Sequence, residues 1–414
     1  MSDRLDPPKR RERVTAPPEA EPSAAGAEII KKPRGKWKLF GLDVFTIGGI
    51  DVIFFGIVIA LLTIGLIMLF SATYPYALYK HGDSYYFIKR QIAFSVGGVV
   101  LMLLISKINY RLLLKFKWVI LAVTIGLLGL VLVYHTNVPG GFKRWIQFGP
   151  ITIQPSDIAK FCLVLILADY ISKNYKQMHK PIQGIVYPVA ITAVFAGLVF
   201  LEHHNSGTLL LLIIGATMMF CGGSNGKLFA IGVALAGAAI LFIILKPDVL
   251  MDYAGERIRA WLDKDFEPLG ARWQTNNSLY AIGSGGFWGA GLGNSKQKFL
   301  YVSEPQNDFI FSIVCEELGF VRSALILALF AALFVRGIRI ATHTSDRFGS
   351  FMVIGIISQI AIQTILNILV VTDWFPNTGI SLPFFSYGGT AILMLLAEMG
   401  VVLSISRKSN QKKV

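Results

Sequence analysis

Asp308 stands where a long polar segment gives way to the apolar run Phe309-Ile310-Phe311-Ser312-Ile313-Val314. A carboxylate at such a boundary has two uses. It caps a helix, accepting the unpaired N–H groups of the first turn while its charge suits the positive end of the helix dipole. It also serves as a general base toward a substrate held at a lipid–water boundary. A second cluster reads Lys143-Arg144-Trp145-Ile146-Gln147-Phe148-Gly149 and then Gln154-Pro155-Ser156-Asp157-Ile158-Ala159-Lys160. Gln154 or Ser156 can start a helix there, and Pro155 suits its first turn. Asp157 and Lys160 then share one face as an i,i+3 pair. Arg144 and Lys160 can hold an anionic head group such as a diphosphate, with Trp145 as an interface anchor. The simpler reading of Asp157 and Lys160 is a local ion pair.

The stretch Pro376 to Thr390 has two prolines and three glycines at the mouth of an apolar run. Irregular backbone at membrane depth is tolerated where protein buries it or where it lines a cavity. Ser381, Ser386, Tyr387 and Thr390 favour the cavity wall, and a re-entrant turn that only packs helices is the alternative. Glu316, Glu317, Arg322 and Glu398 lie inside apolar runs. A charge at the bilayer centre costs about 2.5–3.5 kcal/mol, so such groups face the bundle and pair. The expected partner of Arg322 is Glu398 or Glu317. His203 and His204 adjoin Glu202, but adjacent histidines commonly face different ways, and no metal is expected there.

These residues need elements to hold them, and composition says which. Of 414 residues, 54% are apolar and only 15% charged, with a formal net charge of +14 and a mean hydropathy of +0.59. Soluble domains carry about 25% charged residues, so lipid is the expected solvent. Ten apolar runs of helical length occur, at about 50–73, 88–106, 117–134, 156–171, 184–201, 207–222, 228–245, 309–335, 350–371 and 384–405. The expected fold is an all-α polytopic membrane protein of ten transmembrane helices, spanning 41–407. Most Lys and Arg fall in segments that share one side, including the 1–40 tail and the short 408–414 tail, which places both termini in the cytoplasm. That distribution accounts for the basic pI without nucleic acid. Residues 1–40 have the composition of a disordered basic tail. The segment 246–308, between the seventh and eighth runs, is too long for a plain connection. It carries Arg257, Trp261, Gly283-Ser284-Gly285-Gly286, Lys296 and Lys298, and an ordered extracytoplasmic loop with short helices is expected. Cys162, Cys221 and Cys315 lie in apolar runs without metal-ligand spacing and read as packing residues.

Four motifs in order resemble those of the SEDS family (shape, elongation, division and sporulation), whose members are FtsW, RodA and SpoVE. They are Arg144-Trp145-Ile146 with Gln154-Pro155-Ser156; Gly283-Ser284-Gly285-Gly286 with Gly291-Leu292-Gly293; Asp308-Phe309-Ile310-Phe311 with Glu316-Glu317-Leu318-Gly319; and Thr378-Gly379-Ile380 with Leu382-Pro383-Phe384 and Ser386-Tyr387-Gly388-Gly389. The resemblance covers about residues 50–407.

It implies an FtsW-type peptidoglycan glycosyltransferase, polymerising lipid II into a nascent glycan strand at the outer face of the bacterial cytoplasmic membrane during cell division. It implies a class B penicillin-binding protein as transpeptidase partner, with other division-complex proteins. It makes Asp308 the catalytic acidic residue and puts Lys160 in the substrate cavity. Arg144, Trp145, Gln154, Ser156, Arg257, Lys296, Glu304 and Ser386 are the further substrate-binding candidates. Activity in the family is linked to a divalent cation, Mg or Mn, although this sequence shows no site for one. A lipid II flippase, a non-catalytic division scaffold, and a polymerase of elongation or sporulation are the competing readings. The chain departs from the family pattern at His203-His204-Asn205-Ser206-Gly207-Thr208, where Gln-Pro-Asp commonly precedes Gly-Thr. It departs also at Asp157, where Glu is usual, at Ser303, where Pro is usual, and at Arg322, where Gly is usual.

Overall fold

The computed structural model describes residues 38–39, 42–43, 49–134, 144–148, 151–246 and 252–410. Most of the expected N-terminal tail, Lys143, Gly149 and residues 411–414 lie outside the described residues. Two short strands, β1 (Lys38–Leu39) and β2 (Leu42–Asp43), pair antiparallel. The rest of the described chain is mostly helical: α1 (Val52–His81), α2 (Tyr86–Lys107), α3 (Leu112–Val133), α4 (Pro155–Asn174), α5 (Tyr187–Leu201), α6 (Asn205–Cys221), α7 (Gly226–Leu245), α8 (Asp252–Leu262), α9 (Trp273–Gly285), α10 (Ile310–His343), α11 (Arg347–Val371) and α12 (Gly389–Asn410).

Each of the ten apolar runs coincides with a helix, α1 to α7 and α10 to α12. Seven helical segments are long and apolar enough to cross a bilayer: α1, α2, α3, α5 with the π-turn Ile182–Val186 before it, α10, α11 and α12. Helix α6 is shorter, and α4 carries Asp157, Lys160, Asp169 and Lys173 within its 20 residues. The long segment after α7 contains α8 and α9.

Three features correct the sequence reading. The chain is not wholly α-helical, because β3 (Ile146–Phe148) pairs antiparallel with β4 (Ile151–Ile153), Phe148 opposite Ile151. The alternation Ile-Gln-Phe and Ile-Thr-Ile around Gly-Pro carries that signal. Helix α12 begins at Gly389, so 384–388, expected to be helical, instead forms part of a folded connection. Helix α10 is broken at Gly319, whose φ of 74° and ψ of 179° no helix allows.

The break is filled by the Gly-rich loop after α9. The carbonyls of Glu316 and Glu317 accept the N–H groups of Ala290 (2.9 Å) and Gly291 (3.0 Å). In return, Phe320 and Val321 donate to the carbonyls of Gly286 (2.9 Å) and Phe287 (3.2 Å). Two rungs of the α10 ladder are thus completed by the loop, and every group involved finds a partner. Such an exchange needs backbone against backbone. A Cβ on Gly289 would sit 2.2 Å from the Glu317 carbonyl oxygen, and one on Gly319 would sit 2.2 Å from the Gly289 nitrogen.

At the end of the bundle away from Asp308, acidic groups tie helices together. Asp51 caps α1 by accepting from the Phe54 N–H and holds Arg336 of α10 at 2.7 Å. Asp346 accepts from Tyr110 and pairs with Arg111. Asp169 of α4 pairs with Lys117 and Lys173. The core between these ends is apolar and continuous from α1 through α4, α10, α11 and α12.

Candidate functional site

Helix α4 starts as its sequence demands, with Gln154 at the N-cap and Pro155 in the first turn. The hairpin before it delivers Arg144 and Trp145 just ahead of β3, and Thr390 of α12 ties β4 to the bundle by donating to the Thr152 carbonyl at 2.9 Å. Lys160 then lies one turn into α4, paired with Asp157 at 2.8 Å.

Across from α4, Asn367 of α11 donates to both the Asp308 carbonyl and the Ile380 carbonyl, each at 2.7 Å. One side chain therefore fixes the entry to α10 against the Pro376–Thr390 stretch. Ser386 reinforces that join, donating to the Asn307 carbonyl at 2.6 Å and accepting from the Leu382 N–H at 2.8 Å. Helix α8 brings Arg257, whose Nη1 donates to the Asn377 carbonyl at 2.9 Å. Arg272 holds α8 and α9 in place through Asp373 (2.6 Å) and the Ala260 carbonyl, and Trp261 donates to the Asp373 carbonyl at 3.1 Å.

These elements enclose a cavity of about 270 Å³. Arg144, Trp145, Gln154, Ser156, Lys160, Arg257, Glu304 and Asp308 all line it. Two residues named from the sequence do not. Lys296 is exposed and takes part through its backbone N–H, which donates to Glu316 at 2.8 Å. Ser386 spends its hydroxyl on the backbone contacts above and lines an adjoining hollow, which it shares with Lys160, Gln363, Ser381 and Tyr387.

Asp308 does not cap α10: Phe309 occupies the N-cap, and the Asp308 carboxylate accepts no N–H of the first turn. Its carboxylate faces the cavity instead. Gly379, with φ of 70°, passes so close that a Cβ there would lie 3.2 Å from Asp308 Oδ2. Burial pushes the Asp308 carboxyl up to about 6, against the pull of Arg257; Glu304 adds to the rise, and Arg144 opposes it. A carboxylate with that affinity for protons, beside cations that hold part of it ionised, suits a base working near neutral pH.

The sequence reading passed over several cavity residues. Gln363 of α11, Asn307 and His204 line the space, beside Ser381 and Tyr387, which the sequence itself places at a cavity wall. Gln359, Gln363 and Asn367 recur every four residues along α11, a polar stripe in an apolar helix that signals a lined cavity. Gln359 meets the buried Glu398 of α12, donating at 3.1 Å.

The expected partner of Arg322 is also corrected. Arg322 is exposed and donates to the Trp288 carbonyl at 3.0 Å. Glu317 is taken by Lys298 at 2.8 Å and by the Ser71 hydroxyl at 2.6 Å, and Glu398 by Gln359. Lying past the break, the Arg322 side chain leaves the bundle rather than entering it.

Among the described residues, no group of three or more His, Cys, Asp or Glu side chains gathers where it could hold a metal ion. Of the acidic residues that line the cavity, Asp308 faces Arg257 and Arg144, Asp157 is paired with Lys160, and Glu304 accepts from the Asn307 amide. That donor set does not suit a divalent cation.

Comparison with known proteins places this architecture. A family model described as "Cell cycle protein", FTSW_RODA_SPOVE, matches residues 51–411. Stage V sporulation protein E of Bacillus subtilis is 40% identical over 87% of this chain and 97% of that protein. A protein named probable peptidoglycan glycosyltransferase FtsW, from Trichlorobacter lovleyi, is 33% identical over 92% of this chain and 96% of its own length. Among solved structures, one described as "Structural coordination of polymerization and crosslinking by a peptidoglycan synthase complex" contains a chain that superposes with a TM-score of 0.71. It is 24% identical, over 88% of this chain and 99% of that one. The rod shape determining protein RodA of Thermus thermophilus superposes with a TM-score of 0.63 at 24% identity, over 87% of this chain and 97% of that one. The chain is a multi-pass membrane protein and belongs to the FtsW/RodA/SpoVE family.

Proposed function

We propose that this protein is a peptidoglycan glycosyltransferase that polymerises lipid II, with Asp308 as general base. The observation that carries the reading is a half-buried carboxylate of raised proton affinity in a cavity that also holds Arg144, Lys160 and Arg257. Asp308 accepts the proton of an acceptor sugar hydroxyl as that oxygen bonds to the anomeric carbon of the growing chain. The bond from that carbon to the lipid diphosphate breaks with inversion, and the diphosphate leaves with the electron pair. Arg144, Lys160 and Arg257 stabilise the charge that develops on it.

The ten helices α1 to α7 and α10 to α12 cross the membrane in this reading, with both termini cytoplasmic and α8 and α9 outside. The partner is a class B penicillin-binding protein, as the polymerising and crosslinking complex of the structural relative suggests. Among pathways, sporulation gains support over division from the identities to two Bacillus subtilis proteins, 40% for stage V sporulation protein E and 33% for FtsW.

Purified protein with that partner and labelled lipid II, in detergent without a second compartment, tests the activity. Glycan strands are expected. Their absence, with transport across liposomes intact, identifies a flippase instead. A fluorescent fusion at the forespore rather than at midcell separates the two pathways.

A further inference from the structure

The turn between α5 and α6 holds a group that this mechanism leaves unused. Glu202 is fully buried, and neither of its carboxylate oxygens has a hydrogen-bond partner. The charge that faces it is the guanidinium of Arg144. Arg144 is fastened to the same turn, donating from Nη2 to the carbonyl of His203, and it lines the cavity of Asp308. His203 takes up a left-handed φ of 57°, uncommon for a residue with a side chain. In that conformation its carbonyl accepts from Arg144, and Glu202 lies buried beside it.

His204 follows and lines the same cavity, its Nδ1 buried and without a partner. Burial, with the nearby charges of Arg144 and Lys160, drives its pKa down to about 3, so it brings no charge to the corner. Burial pushes Glu202 the other way, up to about 8, with Arg144 alone pulling it down. A carboxylate enclosed without donors favours its neutral form. Once ionised, its nearest compensation is the guanidinium. Arg144 therefore stands between two anions that compete for it: a ligand diphosphate in the cavity and the Glu202 carboxylate behind.

We propose that Glu202 is a positioning residue for the lipid-linked diphosphate: protonated, it leaves Arg144 to the cavity, and ionised, it withdraws that guanidinium from the ligand. The inference rests on Arg144 as a diphosphate ligand, part of the reading above. Because the two anions exclude each other, ligand binding raises the proton affinity of Glu202, and Glu202 ionisation weakens binding by the same factor. Bound diphosphate keeps Arg144 in the cavity and Glu202 protonated, so saturating substrate restores turnover, and KM carries the effect while kcat does not.

The test uses the full-length protein with its partner, labelled lipid II as substrate, and a polyprenyl diphosphate as a non-reacting binding probe, from pH 7 to 9.5. Wild-type KM and probe Kd are expected to rise severalfold, up to about tenfold per pH unit above the Glu202 pKa. E202Q is expected to hold both constants flat over that range, and E202D, which keeps a titrating carboxyl, to restore the rise. A flat wild-type probe Kd overturns the proposal by itself, whether or not E202Q folds; so does an E202Q rise equal to that of wild type. Probe binding with the expected pH dependence but no glycan product refutes the polymerase reading alone. Glycan product with pH-independent binding refutes this inference alone.

Discussion

Lys298 Nζ lies 2.8 Å from Glu317 Oε1, with both side chains fully buried. The ammonium also donates to the Gly293 carbonyl at 2.6 Å and lies 4.8 Å from the centre of the Tyr74 ring. Glu316 takes the Ser295 hydroxyl and the Lys296 N–H. The two adjacent glutamates therefore fasten the Gly-rich loop to the upper turns of α10, beneath Asp308. Removing one member of a buried pair strands the other, at a cost of about 3–5 kcal/mol. Glu317→Ala should accordingly lower the melting temperature in detergent sharply. The double replacement Lys298→Met with Glu317→Leu should recover much of the loss. A single variant as stable as wild type contradicts the clasp.

Asp308→Asn should abolish glycan formation and yet stabilise the protein. The native pKa, about 6, lies above the ordinary 3.8, so the folded state holds the proton more tightly than the unfolded one. Folding stability then falls as pH rises from 3.8 through 6, and at pH 7 the ionised group costs as much as about 3 kcal/mol. Asparagine removes that cost. Thermal melts at pH 7.5 should place the variant above wild type, and melts near pH 4 should bring the two together.

The same ionisation sets a pH limb on catalysis. Only ionised Asp308 accepts a proton, so kcat/KM should fall about tenfold per pH unit below 6 and level off between there and pH 7.5, short of the Glu202 range. Initial rates on lipid II between pH 4.5 and 7.5 measure this. A flat profile through pH 6 removes Asp308 as the base.

Gly379→Ala should impair activity more than stability. The left-handed φ costs an alanine about 1–2 kcal/mol, and its Cβ would stand 3.2 Å from Asp308 Oδ2, in the space beside the carboxylate. A fall in kcat of tenfold or more, with a melting temperature only a few degrees lower, is the expected pattern.

Arg322→Ala should be nearly neutral. The side chain is exposed and gives up one hydrogen bond, to the Trp288 carbonyl, worth about 0.5–1.5 kcal/mol. A loss above 3 kcal/mol in denaturant titration would instead point to a buried ion pair.

The ten helical runs and the junction at Asp308 were legible because apolar length and its interruption are local properties of a sequence. The Asp157–Lys160 pair was legible for the same reason, through helical spacing. The roles of Lys298, Ser386 and Arg322 were not, since each depends on contacts with distant segments or on the break in α10. Lys298 reads as a solvated loop lysine until α1 and α10 close over it. Arg322 reads as a buried cation only while α10 is taken as one straight helix. The hairpin ahead of α4 was written in its alternation, but strands of three residues give a weak signal beside ten apolar helices.

The borrowed rungs at Gly319 also have a mechanical meaning. Unbroken, α10 would be a shaft of about 50 Å, well beyond the ~30 Å of hydrocarbon. Instead, the break at Gly319 divides it into Phe320 to His343, whose length is close to that of the hydrocarbon layer, and a shorter upper piece, Ile310 to Leu318, to which the Gly-rich loop is stitched. Asp308 sits at the head of that upper piece, so the base is carried by the part of the helix that the loop braces and not by the part long enough to span lipid.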